Sequence, residues 1–221
     1  MQNINLLDIK LKDRYIRESL GMAEQFLQKG AAHIILYLTA PVLLEAGRED
    51  SVKEWIETAD LTLWGDTETL KAAEITAKNR YKEVTEKEFI KAFLGRMAKG
   101  HRSILVLSDT MEHAEALKRE LIELQDAVTI VGTMELVNAE EDTDKLINDI
   151  NIIAPTTIIA RMPFSMQQKW LSKSRAYINT GIWIGLPEDY SCIWKKEMPV
   201  EKMGKRLLNV LFNRKVHKYK K

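Results

Sequence analysis

The chain has 221 residues, of which 45% are hydrophobic, and this length and composition are enough for one sizeable hydrophobic core. Cys192 is the only cysteine, which excludes an intramolecular disulfide and a thiolate metal cluster and suits a reducing compartment such as the cytoplasm. The net charge is +1, but ten Lys or Arg residues against Glu197 and Glu201 give residues 195–221 a charge of +8, which leaves −7 for residues 1–194. We therefore expect an acidic body, residues 1–194, and a basic C-terminal appendage, residues 195–221.

The N-terminal region has no feature of a targeting or membrane-spanning segment. "MQNINLLDIKLKDR" lacks the apolar run and the small-residue cleavage site of a signal peptide. The most apolar window, "AAHIILYLTAPVLLEA", is too short to span a bilayer and contains Pro41. We expect a soluble or peripheral protein.

Strand-like and helix-like segments alternate along the chain. Helix patterns include "TEKEFIKAFLGRMAKG", with Thr85 and Glu88 in capping-box spacing, and "DTMEHAEALKRELIELQ", with Asp109 as the expected cap. This alternation predicts βαβ units and a mostly parallel sheet flanked by helices. The strands are expected in six short apolar runs: "HIILYLTA", "DLTLWG", "SILVLSD", "AVTIVGT", "TTIIARM" and "AYINTGIWIG".

One strand-to-helix turn poses a functional question. In "ADLTLWGDTETL" the chain turns polar at Gly65 and Asp66. Open α/β sheets bind ligands at the carboxyl ends of their strands, yet Asp is also a preferred helix N-cap, so Asp66 is either a catalytic base or a cap. We expect Asp66, Asp109 and the start of the "PFSMQQKW" helix to lie at the same carboxyl edge.

Several common chemistries lack their motifs. The sequence contains no G-x-x-x-x-G-K-[ST] loop and no G-x-G-x-x-G after a predicted strand. Its four histidines are not in H-E-x-x-H spacing and have no Cys/His cluster beside them, so we expect neither a metal nor a cofactor. Cys192 is expected to be a core residue.

The order of the segments resembles the WecG/TagA/CpsF family of bacterial glycosyltransferases. The likeness is carried by "IILYLTAPVLLEAGREDSVKEWIETADLTLWGDTETL", "KEVTEKEFIKAFLGRM", "SILVLSDTMEHAEALKREL", "VTIVGT" and "MPFSMQQKWLSKSRA". The resemblance implies a Rossmann-like α/β fold with a basic C-terminal appendage. It also implies transfer of an N-acetylhexosamine-type sugar from a UDP-sugar to a polyprenyl-diphosphate-linked acceptor in cell-surface polysaccharide synthesis. By this resemblance Asp66 would be the base and Gln167 would orient the nucleotide sugar.

Four family motifs are altered in this chain. Thr39 stands where the family has an Asn, and the family's Asp-Gly is reversed to Gly65-Asp66. The family's Arg-Val-Thr-Gly becomes "EVTE", so that an anionic substrate would meet Glu83. "PFSMQQKW" keeps the motif's Gln as Gln167 and its Trp but replaces its Glu by Gln168.

These changes leave two functional hypotheses. In the first, the chain is a glycosyltransferase with Asp66 as catalytic base and Thr39, Gln167 and Gln168 as substrate-binding residues. In the second, it is a non-catalytic descendant that acts as a binding or regulatory partner. Loss of several positions that act together favours the second hypothesis more than any single loss would.

The C-terminal segment "VEKMGKRLLNVLFNRKVHKYKK" predicts an amphipathic basic helix. One interpretation is binding to an anionic membrane surface through Lys205, Arg206, Arg214 and Lys215, at the inner face of the plasma membrane. The other is a helix that packs on the domain with a solvated cationic end. Nucleic acid is the least favoured partner because a +1 chain lacks a broad basic face, and the sequence leaves the oligomeric state open.

Overall fold

A computed structural model describes residues 2–28, 32–136, 143–193 and 199–219, except for the side chains of residues 199–207. Its centre is a six-stranded sheet in the order β4-β3-β8-β7-β5-β6, and every neighbouring pair of strands is parallel. In chain order the elements are β1 (Gln2–Leu6), β2 (Ile9–Asp13), α1 (Ile16–Phe26), β3 (His33–Leu38), α2 (Ala40–Ala46), α3 (Asp50–Thr58), β4 (Leu61–Trp64), α4 (Thr67–Ala72), α5 (Lys78–Thr85), α6 (Glu88–Lys99), β5 (Ser103–Ser108), α7 (Met111–Leu124), β6 (Thr129–Glu135), α8 (Thr143–Ile153), β7 (Thr157–Arg161), α9 (Phe164–Ser174), β8 (Ile182–Leu186) and α10 (Pro199–Tyr219).

The sheet separates two hydrophobic layers. In β3, Ile34, Leu36 and Leu38 face one layer, and Ile35 and Tyr37 face the other. Every residue of β7 and β8 is buried, as expected of parallel strands covered by helices on both faces. The predicted α/β class is therefore confirmed, and each of the six predicted apolar runs overlaps a strand of this sheet.

An N-terminal hairpin was not predicted from the sequence. Strands β1 and β2 pair antiparallel and are joined at Leu7 and Asp8, whose φ angles are 55° and 63°. The end of β2 is attached to β4 because the indole Nε1 of Trp64 donates to the Asp13 carboxylate at 2.7 Å. The hairpin thus covers the β4 edge of the main sheet.

Two predicted helix caps are wrong. The cap of α7 is Thr110, whose hydroxyl accepts from the backbone N–H of His113, while the Asp109 carboxylate instead contacts the His113 ring at 2.7 Å. Thr85 is the last residue of α5, and α6 begins at Glu88 after Lys87, whose φ is 56°. In both cases the spacing placed the start of the helix too early: α7 begins after Thr110, and α6 begins after Lys87, which has a left-handed backbone.

Helix α10 packs against the body. Phe212 and Val216 are buried in the same layer as α2, and the Lys215 ammonium donates to the backbone carbonyl of Gly47, just after the end of α2, at 3.2 Å. Val210 and Leu211 are about half exposed on the outer face, at 50% and 46%. None of the described helices is long and apolar enough to cross a membrane. The helix therefore has one face buried on the body and an exposed side on which apolar residues lie beside cations.

Candidate active site at the carboxyl edge of the sheet

The polar turns singled out in the sequence lie at one edge of the sheet. Asp66 follows β4, Asp109 follows β5, and α9 begins soon after β7, so all three lie at the carboxyl ends of parallel strands, as predicted. Strands β3 and β4 are neighbours, whereas β5 is four strand positions from β4. At about 4.8 Å per position this is a separation of about 19 Å. The edge therefore brings Thr39 and Asp66 together but leaves Asp109 apart from them.

Asp66 is the N-cap of α4, which answers half of the question posed by the sequence. Its Oδ1 accepts from the backbone N–H of Thr69 at 2.8 Å. Its Oδ2 accepts from the backbone N–H of Ala40, the first residue of α2, at 2.7 Å. One carboxylate therefore serves the positive N-terminal ends of two helices.

Gly65 makes this double contact sterically feasible. Its N–H donates to the carbonyl of Leu38 at 2.7 Å, and a Cβ placed on Gly65 would lie 2.8 Å from the Thr39 Cγ2 and 3.0 Å from the Leu38 oxygen. Any larger residue would push the ends of β3 and β4 apart. The order Gly65-Asp66, reversed relative to the family's motif, thus fits a close approach of two strands.

Thr39 is enclosed at the same place. It is 3% exposed, precedes α2 in the cap position, and makes no side-chain cap hydrogen bond. Its Oγ1 is buried without a hydrogen-bond partner. Asp66 therefore caps α2 in place of Thr39, and an unpaired hydroxyl lies near the carboxylate.

Electrostatics make the Asp66 carboxyl unusual. Burial raises its pKa above the ordinary value of 3.8, although the N–H donors of Ala40 and Thr69 act in the opposite direction. A carboxylate has about four lone-pair sites, so each oxygen can accept a further proton donor. The group is thus held in one orientation with increased basicity, the condition that a general base requires.

The Gln167 side chain bonds to groups within the chain. The side chain is fully buried, and its Nε2 donates to the carbonyls of Met162 and Leu186 at 2.9 and 3.0 Å. Its Oε1 accepts from the indole of Trp183 at 3.1 Å. Gly185 leaves the necessary room, since a Cβ there would lie 2.6 Å from the Oε1. The amide therefore joins α9 to the ends of β7 and β8, and its substrate-binding role stays a prediction.

The remaining residues of the "PFSMQQKW" motif have simple environments. Trp170 is fully buried and stacks on Trp183 with 5.5 Å between ring centroids, so it is a core residue. Gln168 is partly buried on the helix surface, and its substrate-binding role stays a prediction. Gln167 and Trp170 are therefore both buried within the body.

A cleft opens beside this edge, on the side of the sheet that contains Tyr37 and Leu63. Trp64 and Tyr37 line it and lie two residues before Asp66 and Thr39. Its walls combine aromatic rings with charged side chains, namely Tyr37, Trp64, Phe89, Tyr190, Arg14, Arg80, Glu83 and Lys87. The cleft therefore lies against β4, whose last residue is two positions before Asp66, and neither Thr39 nor Asp66 lines it.

Sequence reasoning missed Arg80 in this cleft. Arg80 is 4% exposed, and its guanidinium contacts the carboxylates of Glu83 and Asp13, the latter at 2.6 Å. Burial raises the pKa of the Glu83 carboxyl, while the positive charge of Arg80 lowers it. The cation paired with Glu83 therefore lies three residues earlier on α5, a spacing that places both side chains on one helix face.

Only part of the predicted membrane-binding set can be located. Arg214 is exposed on α10, whereas Lys215 is partly buried in its contact with Gly47. The side chains of Lys205 and Arg206 lie outside the described residues. In the parts of the chain that the structure describes, no group of three or more His, Cys, Asp or Glu side chains is arranged to hold a metal ion.

We predict that Gln167→Leu lowers the free energy of unfolding by several kcal/mol. The substitution removes the partner that Gln167 gives to the Trp183 N–H and to the Met162 carbonyl, and leaves the Leu186 carbonyl only its bond from the Met162 N–H at 3.4 Å. An unpaired buried group costs about 1–3 kcal/mol. Denaturant unfolding measures the change. Gln168→Leu, on the next residue, is the matched control and should shift the midpoint little. Equal stability of both variants would contradict this assignment of the Gln167 amide.

We predict that Asp66→Asn lowers the free energy of unfolding at neutral pH by about 1–3 kcal/mol. The single amide oxygen cannot accept from the N–H groups of both helices, and the NH₂ group would face a backbone N–H. The raised pKa sets the pH dependence. The folded state binds the proton more tightly, so the wild-type contribution of Asp66 is greatest in acid and is lost as pH rises through the folded pKa. The stability gap between wild type and variant should therefore narrow from pH 4 to pH 7. A variant as stable as wild type throughout would rule out the double cap.

A family model described as "Glycosyl transferase WecG/TagA/CpsF family" matches residues 4–187, and the chain belongs to this family. The match includes all six strands of the main sheet and helices α1–α9, and it ends before Tyr190 and α10. A comparison with curated proteins finds no match.

Proposed function

We propose that this member of the WecG/TagA/CpsF family transfers an N-acetylhexosamine-type sugar from a UDP-sugar to a polyprenyl-diphosphate-linked acceptor in cell-surface polysaccharide biosynthesis. Family membership supports glycosyl transfer. The observation that carries the proposal is the Asp66 carboxylate, which is fixed by two backbone N–H groups at the ligand-binding edge of a parallel sheet and has a raised pKa.

The proposed reaction is a direct displacement at the anomeric carbon of the donor sugar. The acceptor hydroxyl attacks this carbon while Asp66 takes its proton, and the UDP group leaves with the bonding electrons. The N-termini of α2 and α4 stabilise the ionised form of Asp66 before the reaction and oppose the desolvation that raises its pKa. Proton transfer to a positioned base of this kind contributes about 10²–10⁴-fold to a rate.

A non-catalytic descendant is the second candidate, and a specific observation favours it. Polar groups that the resemblance assigns to substrate are committed within the chain: the Gln167 amide bonds the sheet ends, and Glu83 is paired with Arg80. Thr39 also lacks the amide that the family has at that position. In this case the same edge would bind a partner or regulate the pathway without turnover.

We also infer that α10 attaches the protein to the inner face of the plasma membrane. Val210 and Leu211 are exposed apolar residues, and Arg214 and Lys218 are exposed cations on the same helix. This combination suits an anionic lipid surface. It would bring the carboxyl edge to the compartment where a lipid-linked acceptor is found.

We predict that UDP-sugars raise the melting temperature of the wild type and that Asp66→Asn lowers transfer to a polyprenyl-diphosphate-linked acceptor at least about 100-fold. Transfer is measured at a temperature where both proteins are folded. Thr110→Ala is the control for lost stability, because it removes a helix cap on α7 away from Asp66 and should retain transfer.

The pH profile adds a further criterion to the same assay. Since only ionised Asp66 can act as a base, wild-type kcat should fall in acid through an apparent pKa above 3.8. Absence of both UDP-sugar stabilisation and transfer in the wild type would instead support the non-catalytic descendant.

We predict that the full chain binds anionic vesicles at low salt and that Arg214→Gln with Lys218→Gln weakens this binding about 30-fold. The estimate follows from about 1 kcal/mol for each basic side chain near such a surface. Lys91→Gln with Lys99→Gln, two exposed residues on α6, removes the same charge and should leave binding unchanged. Vesicle co-sedimentation measures the effect, and an intact chain that stays in the supernatant at low salt would refute the membrane proposal.

A further inference from the structure

Helix α7 carries a partly exposed stripe along the β6 side of the main sheet. The stripe consists of Met111, Glu115, Lys118 and Ile122. Spacings of four, three and four residues place these side chains on one side of the helix. That side adjoins β6, because the Glu115 carboxylate accepts from the Thr133 hydroxyl at 2.6 Å. Since Met111 and Ile122 are both at least 40% exposed, the stripe has two apolar ends and a charged centre.

The neighbouring strand, β6, is the last strand of the main sheet on this side. Within the part of the chain that the structure describes, no strand pairs with its outer edge, whereas the β4 edge is covered by the β1–β2 hairpin. Glu135 is the only charged residue of β6 and lies at its end. Val131 is exposed, and the register of β6 on β5 shifts there. An open edge with so little charge is a surface on which another chain can pack.

The stripe is complementary to a second copy of itself. In an antiparallel helix pair with a two-fold axis at the middle of the stripe, Glu115 lies opposite Lys118 of the second copy, and Lys118 lies opposite Glu115 of the second copy. Met111 and Ile122 are matched in the same way, because the two pairs share one midpoint in the sequence. Within one chain Glu115 and Lys118 approach to 3.4 Å, with side chains 38% and 36% exposed. Both charges therefore remain accessible, and the dimer would place four charges of alternating sign together.

The position of β6 is compatible with the same axis. Glu115 bonds to Thr133, and the backbone N–H of Met111 donates to the Glu135 carboxylate at 3.0 Å, so α7 runs antiparallel to β6. The middle of the stripe therefore lies near Gly132, the central residue of β6. A two-fold axis there, perpendicular to the sheet, brings the two β6 edges side by side and keeps the two Glu135 carboxylates apart.

We propose that the α7 stripe and the β6 edge form a two-fold interface between two copies of this chain. Charge complementarity selects the second copy as the occupant, since each charged group of the stripe meets a group of opposite sign. The register shift at Val131 interrupts the edge, so the antiparallel helix pair supplies the main contact.

The proposed axis also fixes the relative orientation of the two copies. Because the axis is perpendicular to the sheet, the hydrophobic layer that contains Phe212 and Val216 of α10 lies on the same side in both copies. The carboxyl edges point in opposite directions, so each copy keeps its own Asp66. The interface is therefore independent of sugar transfer, and it presents both α10 helices on one side of the dimer.

The test measures the oligomeric state of the full chain by sedimentation velocity at low salt, over a range of concentrations. We expect a dimer that dissociates on dilution. Glu115→Lys, and separately Lys118→Glu, places like charges opposite each other at two symmetric contacts, so each should raise the dissociation constant at least about tenfold. The two substitutions combined restore opposite charges and should return the constant to within about threefold of wild type.

Glu123→Lys is the matched control for the change of charge. It is exposed on the same helix, but it lies one residue after Ile122 and so about 100° around the helix from the stripe. The dimer should be as stable in this variant as in the wild type. Thermal melting establishes that each variant is folded.

A wild type that stays monomeric at about 100 μM would overturn the proposal, and this result needs no variant. A dimer that is equally stable in Glu115→Lys and in Lys118→Glu would also overturn it, because the interface would then lie elsewhere. If both single variants dissociate and the combined variant does not recover, the antiparallel pairing is wrong. If one single variant does not fold, the other single variant and the combined variant still decide.

Discussion

The organisation of the candidate site depends on one carboxylate that accepts hydrogen bonds from the beginnings of two helices. Asp66 follows β4, yet one of its oxygens is bonded to Ala40, the first residue after β3 and its cap. The ends of two adjacent strands, and both helices that follow them, are thereby positioned by a single charged group. Its partial burial raises the pKa of Asp66, so the contact that orders this edge also increases the basicity of the carboxyl.

The same double bonding shows why cap and base are not exclusive alternatives. A capping carboxylate uses one lone pair on each oxygen here, and the remaining lone pairs are chemically available. Capping supplies a fixed orientation, which a catalytic base needs in any case. Around Asp66, Gly65 allows the two strand ends to approach closely, the Thr39 hydroxyl is buried without a partner, and Glu83 is paired with Arg80.

The main sheet could be predicted because its strands are covered on both faces and therefore form continuous apolar runs, as in "HIILYLTA". The β1–β2 hairpin could not be predicted, because exposed polar residues interrupt the apolar residues of its short strands and its turn contains no glycine. At the site, the position of Asp66 at the carboxyl edge followed from topology. The hydrogen bond between Asp66 and Ala40, 26 residues away, could not be predicted from topology. The burial of Gln167 could not be predicted either, because its partners include backbone carbonyls, which every residue has.

Helix α2 has only seven residues, and both of its ends are held by side chains from distant parts of the chain. The Asp66 carboxylate bonds its N-terminus, and the Lys215 ammonium bonds the Gly47 carbonyl at its C-terminus, in the sense that complements the helix dipole. At 1.5 Å per residue, α2 is about 10 Å long, and it connects Lys215 of α10 to the Asp66 carboxylate. Truncation before α10 would therefore also change the body, because the C-terminal end of α2 would lose its contact with the positively charged Lys215.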